Sequence, residues 1–265
     1  MSKEGVYLCA DIGVNFEGKL DVLDEMMRDA RTAGCDAVKL QLFDLEYLAQ
    51  ADYADGLREE LSRMCIPSGM VETMANEAHG HGLEIVVTPF TREIAMGIPD
   101  NVDGIKIRSA DCFRTEILTA AMHHDKPVYV SVPTTDGYLK KPTDVPEGAF
   151  FSLMSHRMDK NGYLVMCPPG YPQKLKDLHL HRIVDFDGFS SHGRNPSIPL
   201  MAATLAVNAV EAGGKAKRRF YLEVHAIPDH EGGDDCRKYP DHDVSLSWEQ
   251  IRLLASGIEI LEEAI

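Results

Sequence analysis

The stretch DAVKLQLF, residues 36–43, is apolar almost throughout, with a lysine, Lys39, in its middle. Near-continuous apolar character over such a short run is typical of a strand that is buried on both faces of a parallel sheet. A helical pattern precedes it, because apolar residues recur at spacings of 3, 4 and 3 between residues 20 and 30. The sequence therefore predicts a helix that leads into a buried strand.

Seven other short apolar runs alternate with helical patterns in the same way. They are VYLCADIG (6–13), LEIVVTPF (83–90), GIKIRSAD (104–111), PVYVSVP (127–133), GYLVMCPP (162–169), DGFSSHG (187–193) and RFYLEVHA (219–226). Eight strand-then-helix units in a chain of 265 residues predict an α/β protein, a (β/α)₈ TIM barrel that forms a single domain over residues 1–265. An open doubly wound sheet is the alternative, but ADIGVNFEG lacks the glycine-rich turn of that fold.

The helical segments are predicted from apolar spacing and from helix-stopping glycines. Helices are expected near residues 70–78, 91–96, 114–124, 148–158 and 175–183, then in a segment striped by Leu200, Ala203, Val207 and Val210, and last in one with Ile251, Leu254, Ile258 and Leu261 on one face. Residues 44–69 read as a long polar connection.

The net charge of −15, from 27 basic and 42 acidic residues, argues against a nucleic-acid or membrane-surface partner. The six cysteines are widely spaced, which favours reduced thiols over a disulfide framework. No apolar stretch reaches the length of a membrane span, and the N-terminus lacks a signal-peptide pattern. These features predict a cytoplasmic protein.

Active sites of such barrels lie at the carboxyl ends of the strands. Polar residues cluster at those positions: Asp11, Asn15, Lys39, Gln41, Thr88, Lys106, Arg108, Ser109, Asp111, Ser131, Tyr171, Ser190, His192, Glu223 and His225. Closing a barrel does not require so much polarity, so the pattern indicates a functional site at this end.

Lys39 and Lys106 lie within otherwise apolar strands, where an ammonium group is costly to bury without a partner. One interpretation is that each lysine pairs with a carboxylate such as Asp11 or Asp111. The other is that both face an anionic ligand, together with Arg108 and nearby hydroxyl groups, which is a phosphate-binding combination.

His192 and His225 end the seventh and eighth strands, which are neighbours in a barrel. Adjacent strands lie about 4.8 Å apart, so two imidazoles at one height can share a metal ion, and Mn, Fe, Co or Zn would suit the nitrogen ligands. The alternative is that each histidine is a hydrogen-bonded core residue. A separate zinc site built from His230, Cys236 and His242 is a further alternative.

Eight motifs taken together resemble the sialic acid synthase family, the phosphoenolpyruvate-dependent nonulosonic acid synthases. In order, they are ADIGVNFEG, AGCDAVKLQLF, VVTPF, GIKIRSAD, GYP, GFSSH, LEVH and PDHDVSL, which span residues 6–246. The resemblance implies a (β/α)₈ barrel that condenses phosphoenolpyruvate with an aldose or other aldehyde, releases phosphate and uses a divalent metal, Mn or Mg. It also makes a homodimer a reasonable assembly.

The resemblance assigns roles to individual residues. Phosphoenolpyruvate would be held by Lys39, Lys106, Thr88, Ser109, Ser131 and Ser190, the metal by His192 and His225, and the sugar would be faced by Gln41, Tyr171 and Asp241. Asp11 takes the place of a glutamate near the reacting centre, and Asp111 replaces another glutamate, beside the phosphoenolpyruvate-binding lysine and serine; both would be catalytic. Asp11 or Asp241 would position or deprotonate the attacking water, and the sequence does not choose between them.

The sequence also departs from the family pattern. Asp11 is one methylene shorter than the family's glutamate, and Ser131 is followed by Val132 and Pro133 where the family has a threonine and a glycine. We expect no counterpart of the family's C-terminal antifreeze-like domain, and hence an acceptor pocket that is open or is completed by another chain or by the barrel's own loops. The residues expected to bind phosphoenolpyruvate match the family's motifs better than those expected to bind the sugar. This difference predicts an acceptor other than N-acetylmannosamine. A metal-dependent aldolase and a non-catalytic family member are the alternative functions.

Overall fold

The computed structural model describes residues 5–134, 161–211, 219–228 and 240–264, and within these the fold is a closed parallel barrel. The strands are β1 (Val6–Gly13), β2 (Ala37–Leu42), β3 (Glu84–Pro89), β4 (Gly104–Ile107), β5 (Val128–Pro133), β6 (Gly162–Cys167), β7 (Gly188–Ser191), β8 (Phe220–Ala226) and β9 (Ser245–Leu246). Each strand pairs in parallel with the next, and β1 pairs with β8 to close the barrel. The predicted (β/α)₈ barrel is confirmed.

Helices cover the outside of the barrel between the strands. They are α1 (Leu20–Thr32), α2 (Leu45–Gln50), α3 (Asp55–Ser62), α4 (Ser68–Gly80), α5 (Arg92–Met96), α6 (Thr115–Ala121), α7 (Ser197–Glu211) and α8 (Trp248–Glu263). The predicted face of the last helix is correct, because Ile251, Leu254 and Ile258 of α8 are buried in the core. No helix among the described residues is both long enough and apolar enough to traverse a lipid bilayer.

Two of the predictions about the connections are wrong. The helix expected near residues 175–183 is instead two 3₁₀ turns, Leu175–Asp177 and Leu180–Asp185. His179 between them has a φ of +44°, which a continuous right-handed helix excludes. The connection over 44–69 is not simply polar, since it contains α2 and α3, and Asp44 begins α2 by accepting a hydrogen bond from the Tyr47 backbone N–H.

Other predictions concern residues that the structure does not describe. The helix expected near 148–158 and the zinc ligands His230 and Cys236 lie outside the described residues. The five cysteines in the described part of the chain are free thiols.

Successive side chains along a strand alternate between two environments, the helices outside the barrel and the barrel's interior. On β1, Leu8, Ala10 and Ile12 pack against the helices, whereas Tyr7 and Cys9 belong to a separate cluster inside the barrel. The barrel's interior is filled at one level by tyrosine rings from four strands, Tyr7, Tyr129, Tyr163 and Tyr221. This layer of rings fills the interior of the barrel towards its amino-terminal end.

Candidate active site at the mouth of the barrel

A cavity of about 690 Å³ opens at the carboxyl ends of the strands. All eight barrel strands, or the residues that directly follow them, contribute to its lining. The predicted site residues that line it are Asp11, Lys39, Gln41, Thr88, Lys106, Arg108, Ser109, Ser131, Tyr171, Ser190, His192, His225 and Asp241. Parallel strands end at the same edge of the barrel, and for this reason residues far apart in the sequence converge here.

Asp111 and Asn15 are the two predicted site residues that do not line the cavity. The Asp111 side chain points to two arginines instead. Its buried carboxylate pairs with Arg108 and, at 3.4 Å, with Arg114. The short 3₁₀ turn Ser109–Asp111 places it three residues after Arg108, within reach of the guanidinium group. Asp111 therefore positions Arg108, whose guanidinium carbon lies 3.7 Å from the centre of the Phe90 ring.

The two buried lysines are paired with carboxylates. Lys106 Nζ lies 2.9 and 2.8 Å from the two oxygens of Glu223, and Lys39 Nζ lies 2.8 Å from Asp11 Oδ2 and 3.0 Å from Glu223 Oε1. Pairing with Asp11 was one of the two sequence interpretations, but Asp111 is not a partner of either lysine. Glu223, to which the sequence assigned no role, is the shared partner.

Glu223 is bonded by hydroxyl groups as well. Ser190 Oγ donates to Oε1 at 2.7 Å, and Tyr221 Oη donates to Oε2 at 2.6 Å. Burial raises the pKa of the Glu223 carboxyl, but the Lys106 and Lys39 charges outweigh burial and hold that pKa well below its usual range. Glu223 is therefore a buried, ionised carboxylate at the centre of the site.

The lysines retain capacity for a ligand in spite of these pairs. An ammonium group has three N–H donors, and each lysine nitrogen lies within 3.0 Å of two carboxylate oxygens of Asp11 or Glu223. Both side chains also line the cavity. Each ammonium group thus has more N–H donors than it has close carboxylate oxygens.

The two strand-end histidines face each other across the mouth. The ring centres of His192 and His225 are 5.2 Å apart, with 46° between the ring planes. Burial, aided by the His225 charge, lowers the pKa of His192 to about 3, so its imidazole is neutral. Burial also lowers the pKa of His225, but the Asp11 and Asp241 carboxylates outweigh it and raise that pKa above its ordinary value.

Asp241 is brought to the mouth by residues distant in sequence. Its backbone N–H donates to Asn15 Oδ1 at 3.0 Å, and its Oδ1 accepts a hydrogen bond from Tyr171 Oη at 2.9 Å. His225 Nδ1 lies 3.6 Å from Asp241 Oδ2, and His225 Nε2 lies 3.3 Å from Asp11 Oδ2. The predicted sugar-facing pair Tyr171 and Asp241 is therefore in direct contact beside the histidines.

Gly13 creates the space that these carboxylates face. Its φ is +53°, and a Cβ built on it would lie 3.0 Å from Gln41 Nε2, 3.2 Å from Asp241 Oδ2 and 3.4 Å from Asp11 Oδ1. Both of these carboxylate oxygens are buried and have no hydrogen-bond partner. The same holds for His225 Nδ1. Unpartnered polar atoms around one point are a feature of a site that binds a polar ligand or ion.

The donor set fits an open metal site with two protein nitrogens. A metal ligand must be a neutral imidazole or an ionised carboxylate, and His192 meets this condition. Among the described residues, no group of three or more His, Cys, Asp or Glu side chains is placed to hold a metal ion. The arrangement suits a divalent ion whose remaining ligands are water or substrate oxygens.

One side of the cavity is apolar, a feature that the sequence analysis missed. We call it the aromatic wall and define it by Phe43, Tyr47, Tyr53, Leu57, Leu61 and Phe90, all of which line the cavity. Its rings pack on one another, with 5.3 Å between the centres of Phe43 and Phe90 and 5.2 Å between those of Tyr47 and Phe90. The short helices α2 and α3 supply half of these residues, and the i, i+4 apolar pair Leu57 and Leu61 of α3 was the available signal.

The fold and the cavity together define a TIM barrel with a charged site at its mouth. Comparison with known proteins identifies the family to which this barrel belongs. The sequence profile of the NeuB family matches residues 26–265. Because this match covers most of the chain, the protein belongs to the NeuB family.

Individual proteins agree with this assignment. The chain is 24% identical to the N-acetylneuraminate-9-phosphate synthase of Drosophila melanogaster, over 96% of this chain and 68% of that protein. It is 22% identical to an uncharacterized protein of Methanocaldococcus jannaschii, over 99% and 72% of the two chains. A solved N-acetylneuraminic acid synthetase from Leptospira borgpetersenii superposes with a TM-score of 0.79 at 18% identity, covering 99% of this chain and 86% of that one. The structural similarity shows the shared barrel fold.

Proposed function

We propose that this protein condenses phosphoenolpyruvate with an aldehyde acceptor, with release of phosphate, to give a 3-deoxy-2-keto sugar acid of the nonulosonic type. The observation that supports this most strongly is one cavity that combines two buried lysines and several hydroxyl groups with two facing imidazoles and unpartnered carboxylate oxygens. Family membership and the synthases among the relatives support the same reaction class.

Phosphoenolpyruvate would be held at the end of the cavity formed by β2 to β7. Lys39 and Lys106 each offer an N–H donor, and the hydroxyl groups of Thr88, Ser109, Ser131 and Ser190 lie around them. Thr88 Oγ1 is buried and has no hydrogen-bond partner, so it is available to a phosphate or carboxylate oxygen. Arg108 adds a third cation at the rim, held in place by Asp111.

The reaction forms a bond between carbon 3 of phosphoenolpyruvate and the carbonyl carbon of the acceptor. Water then adds at carbon 2 and loses a proton. The bond between carbon 2 and the phosphate ester oxygen breaks, so inorganic phosphate leaves from the tetrahedral intermediate and the oxygen from water becomes the keto oxygen. Positive charge that develops at carbon 2 is stabilised by ionised carboxylates, and Glu223 lies buried between the two lysines at this level. Asp11 or Asp241 positions the water, since each has an unpartnered oxygen.

A divalent ion, Mn or Mg, would be held by His192 and His225 and would supply polarisation of the acceptor carbonyl. Tyr171 donates to Asp241 and lies 3.4 Å from His225 Nε2, so it orients both groups at the acceptor end. We also propose that the acceptor differs from N-acetylmannosamine, because the acceptor end of the sequence departs most from the family pattern.

The test is incubation of the purified protein with phosphoenolpyruvate, MnCl₂ and a panel of aldoses and simple aldehydes. We expect inorganic phosphate to be released only when an acceptor is present, and mass spectrometry to show one product that contains both carbon skeletons. If phosphoenolpyruvate survives with every acceptor, the proposal is wrong. If the protein instead cleaves a keto sugar acid without consuming phosphoenolpyruvate, the aldolase alternative is correct.

A further inference from the structure

The aromatic wall begins next to the reacting centre. Val14 directly follows Gly13, lines the cavity, and belongs to the same apolar cluster as Phe43 and Phe90. The Cβ position of Gly13 is within 3.4 Å of both unpartnered carboxylate oxygens. An acceptor whose carbonyl lies near Asp11 and Asp241 therefore extends its far end along this wall.

The polar atoms of the wall are engaged with one another. Tyr47 Oη accepts a hydrogen bond from Arg108 at 3.0 Å and lies 3.4 Å from Tyr53 Oη. Arg108 is itself paired with Asp111. Arg58 Nη2 donates to the backbone oxygens of Ala51 and Tyr53 at 3.2 Å each, which fixes the turn between α2 and α3. The two hydroxyl groups of the wall thus already have partners, and its other side chains are apolar.

A hydroxyl group placed against such a surface loses its hydrogen bonds to water and gains none, which weakens binding. An aromatic or branched aliphatic group in the same place leaves water for a matching surface, which strengthens binding. Closer to the reacting centre the lining is polar, since Gln41 and Asp241 face the acceptor's first carbons. Hydroxyl groups on those first carbons of the acceptor therefore have hydrogen-bond partners in the protein.

From this division we propose that the acceptor is an aldehyde that is hydroxylated beside its carbonyl group and carries an aromatic or branched aliphatic group beyond. This inference rests on the proposed condensation and names the substrate class for the same site. The aromatic wall is the part of the protein that selects it.

The experiment compares matched acceptors in the phosphate-release assay with phosphoenolpyruvate and MnCl₂. D-Erythrose is the hydroxylated acceptor, and 2-hydroxy-3-phenylpropanal and 2-hydroxy-4-methylpentanal are the apolar ones, all with a hydroxyl group beside the carbonyl. We expect kcat/KM to be at least about 10-fold higher for the apolar acceptors, the size of discrimination that a few buried methylene groups provide. An equal or higher kcat/KM for D-erythrose overturns the inference and leaves the condensation standing. If no phosphate is released with any of these three acceptors or with any acceptor of the wider panel, the condensation is refuted, and the inference with it.

Two leucine variants test whether the aromatic wall itself selects the acceptor, or whether any loss of an exposed leucine near the cavity has the same effect. Leu57 on α3 lines the cavity and is 43% exposed, whereas Leu45 on α2 is 63% exposed and does not line it. We expect Leu57→Asn to lower the ratio of kcat/KM for 2-hydroxy-3-phenylpropanal over D-erythrose about 10-fold. Leu45→Asn should leave that ratio unchanged. If both variants change the ratio equally, or neither does, the wall does not select the acceptor.

Discussion

Lys106 and Glu223 form a doubly bonded ion pair inside the barrel, with 2.9 and 2.8 Å between the ammonium nitrogen and the two carboxylate oxygens. The pair is almost fully buried, and Lys39 joins it through Glu223 Oε1 at 3.0 Å. A buried charge without its partner is strongly destabilising, so this network ties the stability of the barrel to the composition of its site.

Replacement of the shared carboxylate tests this link. Glu223→Gln leaves Lys106 without a counter-charge, and we expect the free energy of unfolding to fall by about 3–5 kcal/mol, measured by urea denaturation. Phosphoenolpyruvate should stabilise this variant more than the wild type, because the bound anion supplies the missing negative charge. Glu84→Gln is the control, since Glu84 is exposed and its one described side-chain hydrogen bond comes from Tyr7 Oη. Glu84→Gln should lower the free energy of unfolding by only about 0.5–1.5 kcal/mol. A Glu223→Gln protein as stable as the control would contradict the account of the network.

Lys106→Met tests the anion site. A hydrogen bond to a charged group contributes about 1.5–3 kcal/mol, so we expect the KM for phosphoenolpyruvate to rise about 10- to 100-fold in the phosphate-release assay. Lys19→Met is the matched control, because Lys19 is half-exposed and pairs only with Glu17 among the described residues. An unchanged KM in Lys106→Met would refute the assignment of this lysine to phosphoenolpyruvate.

Gly13→Ala tests the space between the carboxylates. The new methyl group would meet Gln41 Nε2 and Asp241 Oδ2 at 3.0 and 3.2 Å, and the φ of +53° costs an alanine about 1–2 kcal/mol. We expect loss of turnover together with a decrease of that size in unfolding free energy. Gly56→Ala on α3 is the control, since nothing lies within 4 Å of its Cβ position. It should keep full activity and gain about 0.4–1 kcal/mol in stability. Full activity in Gly13→Ala would show that the site does not need this space.

His225→Ala tests the metal assignment. We expect turnover to be lost, and Mn²⁺ binding measured by calorimetry to weaken by at least about 10- to 100-fold, while circular dichroism shows an intact fold. His79→Ala, at a surface histidine paired with Asp103 at 2.8 Å, should bind Mn²⁺ like the wild type. Chelation by EDTA should also stop the wild-type reaction, and added Mn²⁺ should restore it. A variant that binds Mn²⁺ normally removes His225 from the ligand set.

Much of the site follows from a local pattern. Strand residues alternate between two faces, so the positions of Lys39, Lys106 and His225 within their apolar runs predict that they point into one barrel end. The residues around Asp111 show the limit of that reasoning. Asp111 also follows a strand, but a single 3₁₀ turn directs its side chain to Arg108 and away from the cavity.

The sequence by itself therefore determined the barrel and most of the side chains at its mouth. Strand periodicity and apolar runs are local features of the chain, so they can be recognised in a single sequence without the structure. Only the tertiary structure decided which groups pair. Lys106 and Glu223 are 117 residues apart, and their contact depends on strand stagger and side-chain reach, which no local pattern encodes. The same holds for the aromatic wall, since Phe43 and Phe90 become neighbours only when β2 and β3 lie side by side.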